Sequence, residues 1–440
     1  MNHRIAIVGS GISGLAAGYH LTQAGFKPVL FESRTFVGGR MSSETVDGFI
    51  IDKAAYTIPE FYRNLIGFLS QVGMEKSLVQ TSSTASTFHD GKNHPIKIGS
   101  PSDFLTYKLL SIKNKKNMVK LFLYARSLGK ALNLDQPTQK TFELEKESVT
   151  DYLRTHYDEQ ILERIAYPIF SEIFLGSPES NSKASFLALL RNLSKFNIFA
   201  FDKGMGTLAQ RLKLDLDIRL NSPVLKITAM GEKGPYEVAV GGTDSRSLEF
   251  DAIILAIPLP LVPRLIESLP EKLIKYFRNV VYAPSIVVAT ATEGKIKDTS
   301  MINNLLRADF DILGNVVFDQ HKGSKRVPRG KTLATCILQE RASRLLLHET
   351  DQKIANLVLK EMDAIFPKFS NKRIFQKIYR WEHGALQLPP GHLAKRHAVG
   401  GFLENGWQNI YFAGESFPIS SLEASFNTGI KAANQIITKS

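Results

Sequence analysis

Three glycines near the start of the chain constrain the fold more than any other feature. Gly9, Gly11 and Gly14 follow the apolar run Ile5–Val8 in the spacing Gly-x-Gly-x-x-Gly. In such a unit the first glycine permits a tight turn, the second lets the backbone approach a pyrophosphate, and the third lets helix and strand pack closely. The N-terminus of the helix then faces the phosphate charge. The pattern therefore predicts a buried parallel strand, a glycine turn and a helix that together bind a dinucleotide.

The residues that follow fit the same unit. Gly25 is placed to end the helix, and residues 28–32 are typical of a second strand that finishes with Glu32. A carboxylate at this point of such a fold accepts hydrogen bonds from ribose hydroxyls. The predicted cofactor contacts in this first region are Gly9, Gly11, Ile12, Ser13, Gly14, Glu32, Ser33, Gly38, Gly39 and Arg40.

These motifs, in this order, resemble those of the flavin amine oxidase superfamily, which includes protoporphyrinogen oxidases and carotenoid desaturases. The resemblance implies FAD as the cofactor, with Gly38–Arg40 along its pyrophosphate and the arginine supplying charge to the phosphates. Residues 47–52 resemble the family segment that follows. Lys53 departs from the family pattern, because a glycine is common at that position.

The C-terminal block carries a second set of motifs. Residues 409–415 read as a strand that ends in Gly-Glu, and residues 420–429 open a terminal helix. Ser420 and Glu423 have the spacing of a capping box, which is the role that we expect for this glutamate. In the family this helix points its amides at the flavin, where a helix N-terminus stabilises negative charge on N1. The further cofactor contacts that the resemblance implies are Val224, Gly414, Glu415, Ser421, Leu422 and Glu423.

The first and last motifs must meet in one nucleotide site. The sequence therefore predicts an α/β fold with a discontinuous, Rossmann-like FAD-binding domain, a mixed α+β substrate domain and a helical insert. The helical pattern from about residue 100 to 195 resembles the substrate domain of the protoporphyrinogen oxidase branch. The predicted segments are 1–75, 205–265 and 396–440 for the FAD-binding domain, and 76–204 and 266–395 for the substrate domain.

Residues 381–392 resemble the tryptophan, proline and Gly-His pattern near the flavin of that family. Trp381 is thereby a predicted substrate contact. His383 and His392 are candidates for proton transfer because histidine titrates near neutrality, although a hydrogen-bonded structural role is favoured for each. The residues point to no definite catalytic base and to no metal site.

Composition limits the partners and the compartment. The chain carries 55 lysines and arginines against 42 acidic residues, which favours anionic partners. Much of this excess lies in 101–130, where a solvated helical face is the favoured interpretation and peripheral membrane contact or an acidic substrate are alternatives. No nucleic-acid motif accompanies the charge, and no apolar run is long enough for a membrane-spanning helix. Cys336 is the sole cysteine, so no intrachain disulfide can form. We therefore expect a cytoplasmic protein that binds no nucleic acid, with membrane association left open.

Several functions remain open at this point. The favoured one is FAD-dependent dehydrogenation of a bulky, largely apolar small molecule, most of all a porphyrinogen or another reduced pyrrolic ring, with electrons passing to oxygen or another acceptor. A specialised amine or imine oxidase is the alternative. It is disfavoured because Ser421 stands where such enzymes have an aromatic residue, and because residues 285–290 lack the lysine that they tend to carry. A carotenoid-type desaturase and a flavin-binding protein without turnover are less favoured still.

Overall fold

The computed structural model of the chain describes residues 3–192, 197–231, 234–242, 245–296, 300–414 and 421–439. The strands in these ranges are β1 (Ile5–Val8), β2 (Val29–Phe31), β3 (Ser43–Val46), β4 (Phe49–Asp52), β5 (Ile58–Pro59), β6 (Leu78–Gln80), β7 (Thr84–His89), β8 (Lys92–Lys97), β9 (Ile198–Phe201), β10 (Asp217–Arg219), β11 (Val224–Ala229), β12 (Tyr236–Val240), β13 (Arg246–Phe250), β14 (Ala252–Leu255), β15 (Tyr282–Glu293), β16 (Ile302–Leu305), β17 (Leu313–Phe318), β18 (Lys331–Leu338), β19 (Arg373–Leu386) and β20 (Ile410–Phe412).

The α-helices in the same ranges are α1 (Ile12–Gln23), α2 (Arg63–Gln71), α3 (Pro101–Thr106), α4 (Ile112–Ser127), α5 (Gln139–Leu144), α6 (Val149–His156), α7 (Glu159–Ile161), α8 (Tyr167–Ile173), α9 (Lys183–Arg191), α10 (Thr207–Lys213), α11 (Val262–Leu265), α12 (Glu271–Arg278), α13 (Glu340–Leu346), α14 (Asp351–Ile365), α15 (His392–Ala398), α16 (Gly400–Asn405) and α17 (Leu422–Ile437). A π-helical turn, Leu162–Ala166, joins α7 to α8.

A five-stranded parallel sheet, in the order β10-β2-β1-β14-β20, unites the beginning, middle and end of the chain. Successive residues of β1 face two different cores. Ile5 and Ile7 belong to the core that contains residues of α1 and α17, whereas Ala6 and Val8 belong to the core that contains residues of β11, β12 and β13. Both faces of the sheet are therefore covered, which explains why β1, β2, β14 and β20 are continuous apolar runs. The edge strand β10 is polar at both of its ends.

A second, seven-stranded sheet has the order β19-β15-β18-β17-β16-β7-β8. Neighbouring strands are antiparallel except β16 and β7, which run parallel. Residues of α13 and α14 share an apolar core with this sheet. The helices α3 to α9 form the helical block between β8 and β9, in the part of the chain where the sequence predicts a helical insert.

The predicted fold class is confirmed. Residues 81–98 have a sequence typical of short strands around a turn at Asp90 and Gly91, and the hairpin β7–β8 turns at these two residues, both with positive φ. The sequence also predicts a polar break in the helical block at 135–141. The observed break ends before Gln139, because Thr138 caps α5 through the backbone N–H of Thr141. Among the described residues, no helix is both long and apolar enough to cross a membrane.

Candidate active site

The turn between β1 and α1 has the geometry that the glycine spacing predicts. Gly9 has a φ of +99°, and a Cβ on it would lie 2.6 Å from the carbonyl oxygen of Ala256. A Cβ on Gly14 would lie 2.0 Å from the carbonyl oxygen of Gly9. At Gly11, by contrast, no atom of the described residues lies within 4 Å of such a Cβ, and this glycine borders a large cavity. Gly9 and Gly14 therefore serve the turn and the helix packing, whereas Gly11 keeps space open beside the helix.

The first turn of α1 and two arginines make this end of the cavity positive. The N-cap is Gly11, which offers no side-chain acceptor, and the first turn contains no acidic residue. Its uncapped N–H groups are therefore available to an anion. Arg34 and Arg40 line the same cavity, and burial together with the nearby charge of Arg40 lowers the pKa of Arg34 against the opposing effect of Glu32. A bound pyrophosphate would offset the repulsion between the two guanidinium groups.

The Glu32 carboxylate is held in place by its neighbours. Its Oε2 accepts hydrogen bonds from the backbone N and Oγ of Ser10, at 2.9 and 2.7 Å, and its Oε1 accepts one from the backbone N of Arg34 at 2.9 Å. The residue is buried and lines the cavity. Oγ of Ser33 also donates to Oε1, at 3.4 Å. Because an ionised carboxylate has about four acceptor sites, a ribose hydroxyl would take the place of this longest bond.

Arg40 joins the glycine loop to the long strand β19. Its Nη1 donates to the carbonyl oxygens of Gly384, at 2.8 Å, and His383, at 3.2 Å. The side chain thus fixes two walls of the cavity relative to each other, in addition to the phosphate role that the resemblance implies.

Lys53, which departs from the family pattern, is accommodated outside the cavity. Its Nζ lies 3.1 Å from Oε2 of Glu44 and 3.8 Å from the ring centroid of Phe36. Its carbonyl oxygen accepts a hydrogen bond from Nε1 of Trp381 at 2.9 Å. Trp381 itself lines the cavity, with the guanidinium carbon of Arg34 4.3 Å from its ring centroid. Lys53 therefore helps to orient the predicted substrate contact through its backbone.

The start of the terminal helix corrects one prediction. Ser421, not Ser420, is the N-cap, and its Oγ accepts from the backbone N of Ala424 at 3.0 Å. Glu423 accepts hydrogen bonds from the backbone N of Asn64, at 2.8 Å, and Leu65, at 2.9 Å. The predicted capping box is therefore wrong: this carboxylate caps the neighbouring helix α2, and Ser420 lies outside the described residues.

The strand before this helix ends at the same cavity. Gly414 has a φ of +92°, and its backbone N donates to Oγ1 of Thr428 at 2.8 Å. Glu415, the other predicted contact in this loop, lies outside the described residues.

One continuous cavity of about 2120 Å³ brings most of the predicted site residues together. Those that line it are Gly9, Gly11, Ile12, Ser13, Glu32, Ser33, Gly38, Gly39, Arg40, Val224, Trp381, His383, Gly414, Ser421, Leu422 and Glu423. Gly14 does not line the cavity, since it packs against the turn that forms the cavity wall.

The two candidate histidines have different surroundings. His383 lines the cavity, with its ring centroid 5.3 Å from that of Tyr282. His392 does not line the cavity. It is buried at the start of α15 with its ring centroid 6.2 Å from that of Tyr276. Burial, helped by the charges of Arg396 and Lys395, lowers its pKa to about 4. His392 is therefore a neutral core histidine, which agrees with the structural role that the sequence favours.

Sequence reasoning missed many of the polar residues that line the cavity, among them Arg34, Glu172 and Asn304. Arg34 could have been found, because it lies just after Glu32 in the loop that ends β2. Glu172 and Asn304 come from the helical block and the second sheet, and no local pattern indicates that they meet. Within the described ranges, no group of three or more His, Cys, Asp or Glu residues is placed to hold a metal ion.

The cavity fits a flavin dinucleotide. The open space at Gly11, the uncapped first turn of α1 and the two arginines suit a pyrophosphate, and Glu32 suits a ribose. The first turn of α17 borders the same cavity at Leu422 and Glu423, where a helix N-terminus would favour negative charge on a reduced flavin.

The chain is similar to known oxidases in sequence and in fold. Protoporphyrinogen oxidase 2, chloroplastic/mitochondrial, of Arabidopsis thaliana is 21% identical and matches 99% of this chain and 94% of its own length. Coproporphyrinogen III oxidase of Bacillus subtilis is 20% identical, with 99% of this chain and 98% of that protein covered. A solved triple mutant of putrescine oxidase has the same fold, with a TM-score of 0.81 and 18% identity over 100% of this chain and 99% of that one. Residues 12–437 match the family described as flavin containing amine oxidoreductase. The chain therefore belongs to the flavin-containing amine oxidoreductase family and is an FAD-dependent oxidoreductase.

Proposed function

We propose that this chain dehydrogenates a bulky, largely apolar substrate by hydride transfer to flavin N5, and that the substrate is a porphyrinogen or another reduced pyrrolic ring. The observation that carries the proposal is the continuity of the cavity, which joins the nucleotide motifs to the helical block. Its volume of about 2120 Å³ exceeds the roughly 300–1,000 Å³ of an ordinary small-molecule site. It can therefore hold a dinucleotide and a large substrate together.

The surface that the helical block contributes suits an apolar ring. Phe104, Met118, Phe122, Ile169 and Phe174 all line this part of the cavity. Burying the edges of a large ring against such side chains is favourable by about 25 cal/mol per Å² of apolar surface.

Positive charge on the same surface suits acidic substituents on that ring. Arg126 and Arg164 line the cavity. One nitrogen of Arg164 donates to the carbonyl oxygen of Leu109 at 2.9 Å, but a guanidinium has five N–H donors, so others remain for a carboxylate. The names of the Arabidopsis and Bacillus relatives, both porphyrinogen oxidases, agree with this substrate class.

In the proposed reaction the protein binds, orients and shields the reactants. Bound flavin supplies the hydride acceptor, and oxygen or another acceptor reoxidises it. Trp381 and His383 line the cavity from β19, the strand to which Arg40 donates its hydrogen bonds. The first turn of α17 offers backbone N–H groups to developing negative charge. Apolar walls keep water away from the reacting atoms.

We also propose that segment 101–130 contacts a membrane surface. Leu105, Ile112 and Leu123 are 65%, 75% and 60% exposed among the lysines of this segment, a combination typical of interfacial helices. Met118 and Phe122, on the same helix α4, line the cavity, so an apolar substrate could enter from lipid. Sedimentation with anionic vesicles tests this proposal: Ile112→Ser with Leu123→Ser should abolish co-sedimentation, and equal binding of the variant would contradict it.

The test of the proposed reaction is an anaerobic titration of the purified holoprotein, followed by flavin absorbance. Protoporphyrinogen or coproporphyrinogen should bleach the flavin, with the corresponding porphyrin forming after air is admitted. Bleaching by amines or cyclic imines alone would replace the proposal with a specialised amine or imine oxidase.

A further inference from the structure

Glu172 places a carboxyl group in the substrate part of the cavity. It lies near the C-terminal end of α8, which packs directly over β17: a Cβ on Gly314 would lie 2.3 Å from Oγ of Ser171. This close approach fixes the neighbouring Glu172 over the second sheet, where its side chain lines the cavity. The residue takes no part in the nucleotide motifs.

The partner of this carboxyl group is a buried amide. Nδ2 of Asn304 donates to Oε2 of Glu172 at 3.3 Å, and Asn304 is only 7% exposed while lining the cavity. In the sheet register Asn304 stands opposite Thr87 on β7 and Asn315 on β17. Oδ1 of Asn304 and both polar side-chain atoms of Asn315 have no hydrogen-bond partner among the described residues. Thr87 and Asn304 bring this polar row to the wall of the cavity.

Electrostatics makes the carboxyl group receptive to a donor. Burial, opposed by the Asn304 bond, raises the pKa of Glu172 to about 7. The titratable group that faces it is the buried phenol of Tyr56, whose own pKa is raised by burial and by the charge of Glu172. A ligand with N–H donors, with or without positive charge, would pair with the ionised carboxylate and offset the free-energy cost of its desolvation.

Building on the proposed function, we infer that Glu172, held by Asn304, binds the nitrogen-bound hydrogens of the substrate and so selects a substrate with N–H donors inside an apolar frame. Pyrrole N–H groups and the N–H groups of an amine or iminium ion share this chemistry. A pure hydrocarbon has no such donor and would add nothing to the hydrogen bond that Asn304 donates.

The test compares two ligands with the same periphery, one with inner N–H groups and one with a metal ion in their place. Free-base coproporphyrin III has inner N–H donors, whereas its palladium(II) complex has the same periphery without them. Binding of each to the holoprotein is measured by emission quenching at pH 8, together with binding of benzylamine by perturbation of the flavin spectrum. The first variant is Glu172→Gln, which keeps the shape of the side chain but has no negative charge to strengthen a hydrogen bond. The second variant is Asn304→Leu. The matched control is Glu163→Gln, which removes a carboxylate that Arg307 pairs with outside the cavity, at 2.8 Å.

The expected result is a loss of about tenfold or more in free-base affinity for Glu172→Gln, a smaller loss for Asn304→Leu, and unchanged binding of the palladium complex. Glu163→Gln should bind all three ligands as the wild type does. Thermal unfolding should show Glu172→Gln to be folded, because the substitution removes a buried charge.

The outcomes separate this inference from the proposed function. A Glu172-dependent loss of benzylamine binding, in a protein that binds no porphyrin, would support the inference and contradict the porphyrinogen assignment. Flavin bleaching by a porphyrinogen with equal free-base affinity of the wild type and Glu172→Gln would overturn the inference and leave the function intact. Wild-type protein that binds neither class of ligand would overturn both.

Discussion

Asp52, the last residue of β4, is the centre of a fully buried ion network that joins this strand to the loop between β17 and β18. Its carboxylate accepts hydrogen bonds from Nζ of Lys322 at 2.7 Å and from both terminal nitrogens of Arg326. All three side chains are inaccessible to solvent. Oδ1 also accepts from the backbone N of Met205 at 2.8 Å and from Oγ of Ser43 at 2.7 Å. The variant that tests this network is Asp52→Asn, which keeps the side-chain volume but removes one negative charge from beside the buried cations Lys322 and Arg326.

Removal of one partner from a buried ion pair costs about 3–5 kcal/mol, because the remaining charge is uncompensated. We expect a loss of stability in that range, measured as the free energy of unfolding in urea. Burial alone would raise the pKa of Asp52, but the charges of Lys322 and Arg326 outweigh it and hold the pKa well below its usual value. As the pH falls, the unfolded chain therefore binds a proton first, so the network's stabilisation is present above about pH 4 and is lost below it.

The pH dependence and a surface control make this prediction refutable. Between about pH 5 and pH 3 the stability of the wild type should fall more steeply than that of Asp52→Asn. Asp215→Asn is the matched control, because Asp215 pairs with Arg211 on the partly exposed surface of α10, where such a pair contributes only about 0–1 kcal/mol. Equal loss of stability in the two variants, or parallel pH profiles for the wild type and Asp52→Asn, would refute the reasoning.

Three further predictions concern the cofactor cavity. Gly11→Val should give folded protein without FAD, because its side chain would occupy the open space beside α1, whereas Gly14→Val should fail to fold. Circular dichroism and flavin absorbance distinguish the two outcomes. Flavin retained by Gly11→Val would refute the assignment of this space to the pyrophosphate. Arg40→Ala should weaken FAD binding by about tenfold or more, measured by flavin release on dilution; unchanged release would leave Arg40 a purely structural role. Glu423→Gln should destabilise the protein by about 1 kcal/mol through the cap of α2, measured by urea unfolding; no change would contradict that cap.

The sequence predicts the parts of the fold that have local signals. The strand β1, the turn at Gly9 and the helix α1 follow from an apolar run and a glycine spacing. The turn at Asp90 and Gly91 follows from the residues that tolerate positive φ. The predicted domain boundaries stay predictions, since strand pairing alone does not decide where one domain ends.

Long-range contacts account for what the sequence did not predict. Glu423 caps α2 across 359 positions of the chain, and Asp52 meets Lys322 across 270. The local sequence does not distinguish Glu423 from a residue that caps its own helix, or Asp52 from an exposed acidic residue. The spacing of His392 resembles a site motif, but packing against Tyr276 buries it outside the cavity, in agreement with the structural role that the sequence favours.

The measurement that tests the central claim most directly is the identity and stoichiometry of the nucleotide released from purified wild-type protein by heat denaturation. The cradle formed by Gly11, Glu32 and the two arginines predicts equimolar FAD, released without covalent attachment. Protein that is folded but retains only FMN, or that binds no flavin when FAD is added, would contradict the account of the cavity.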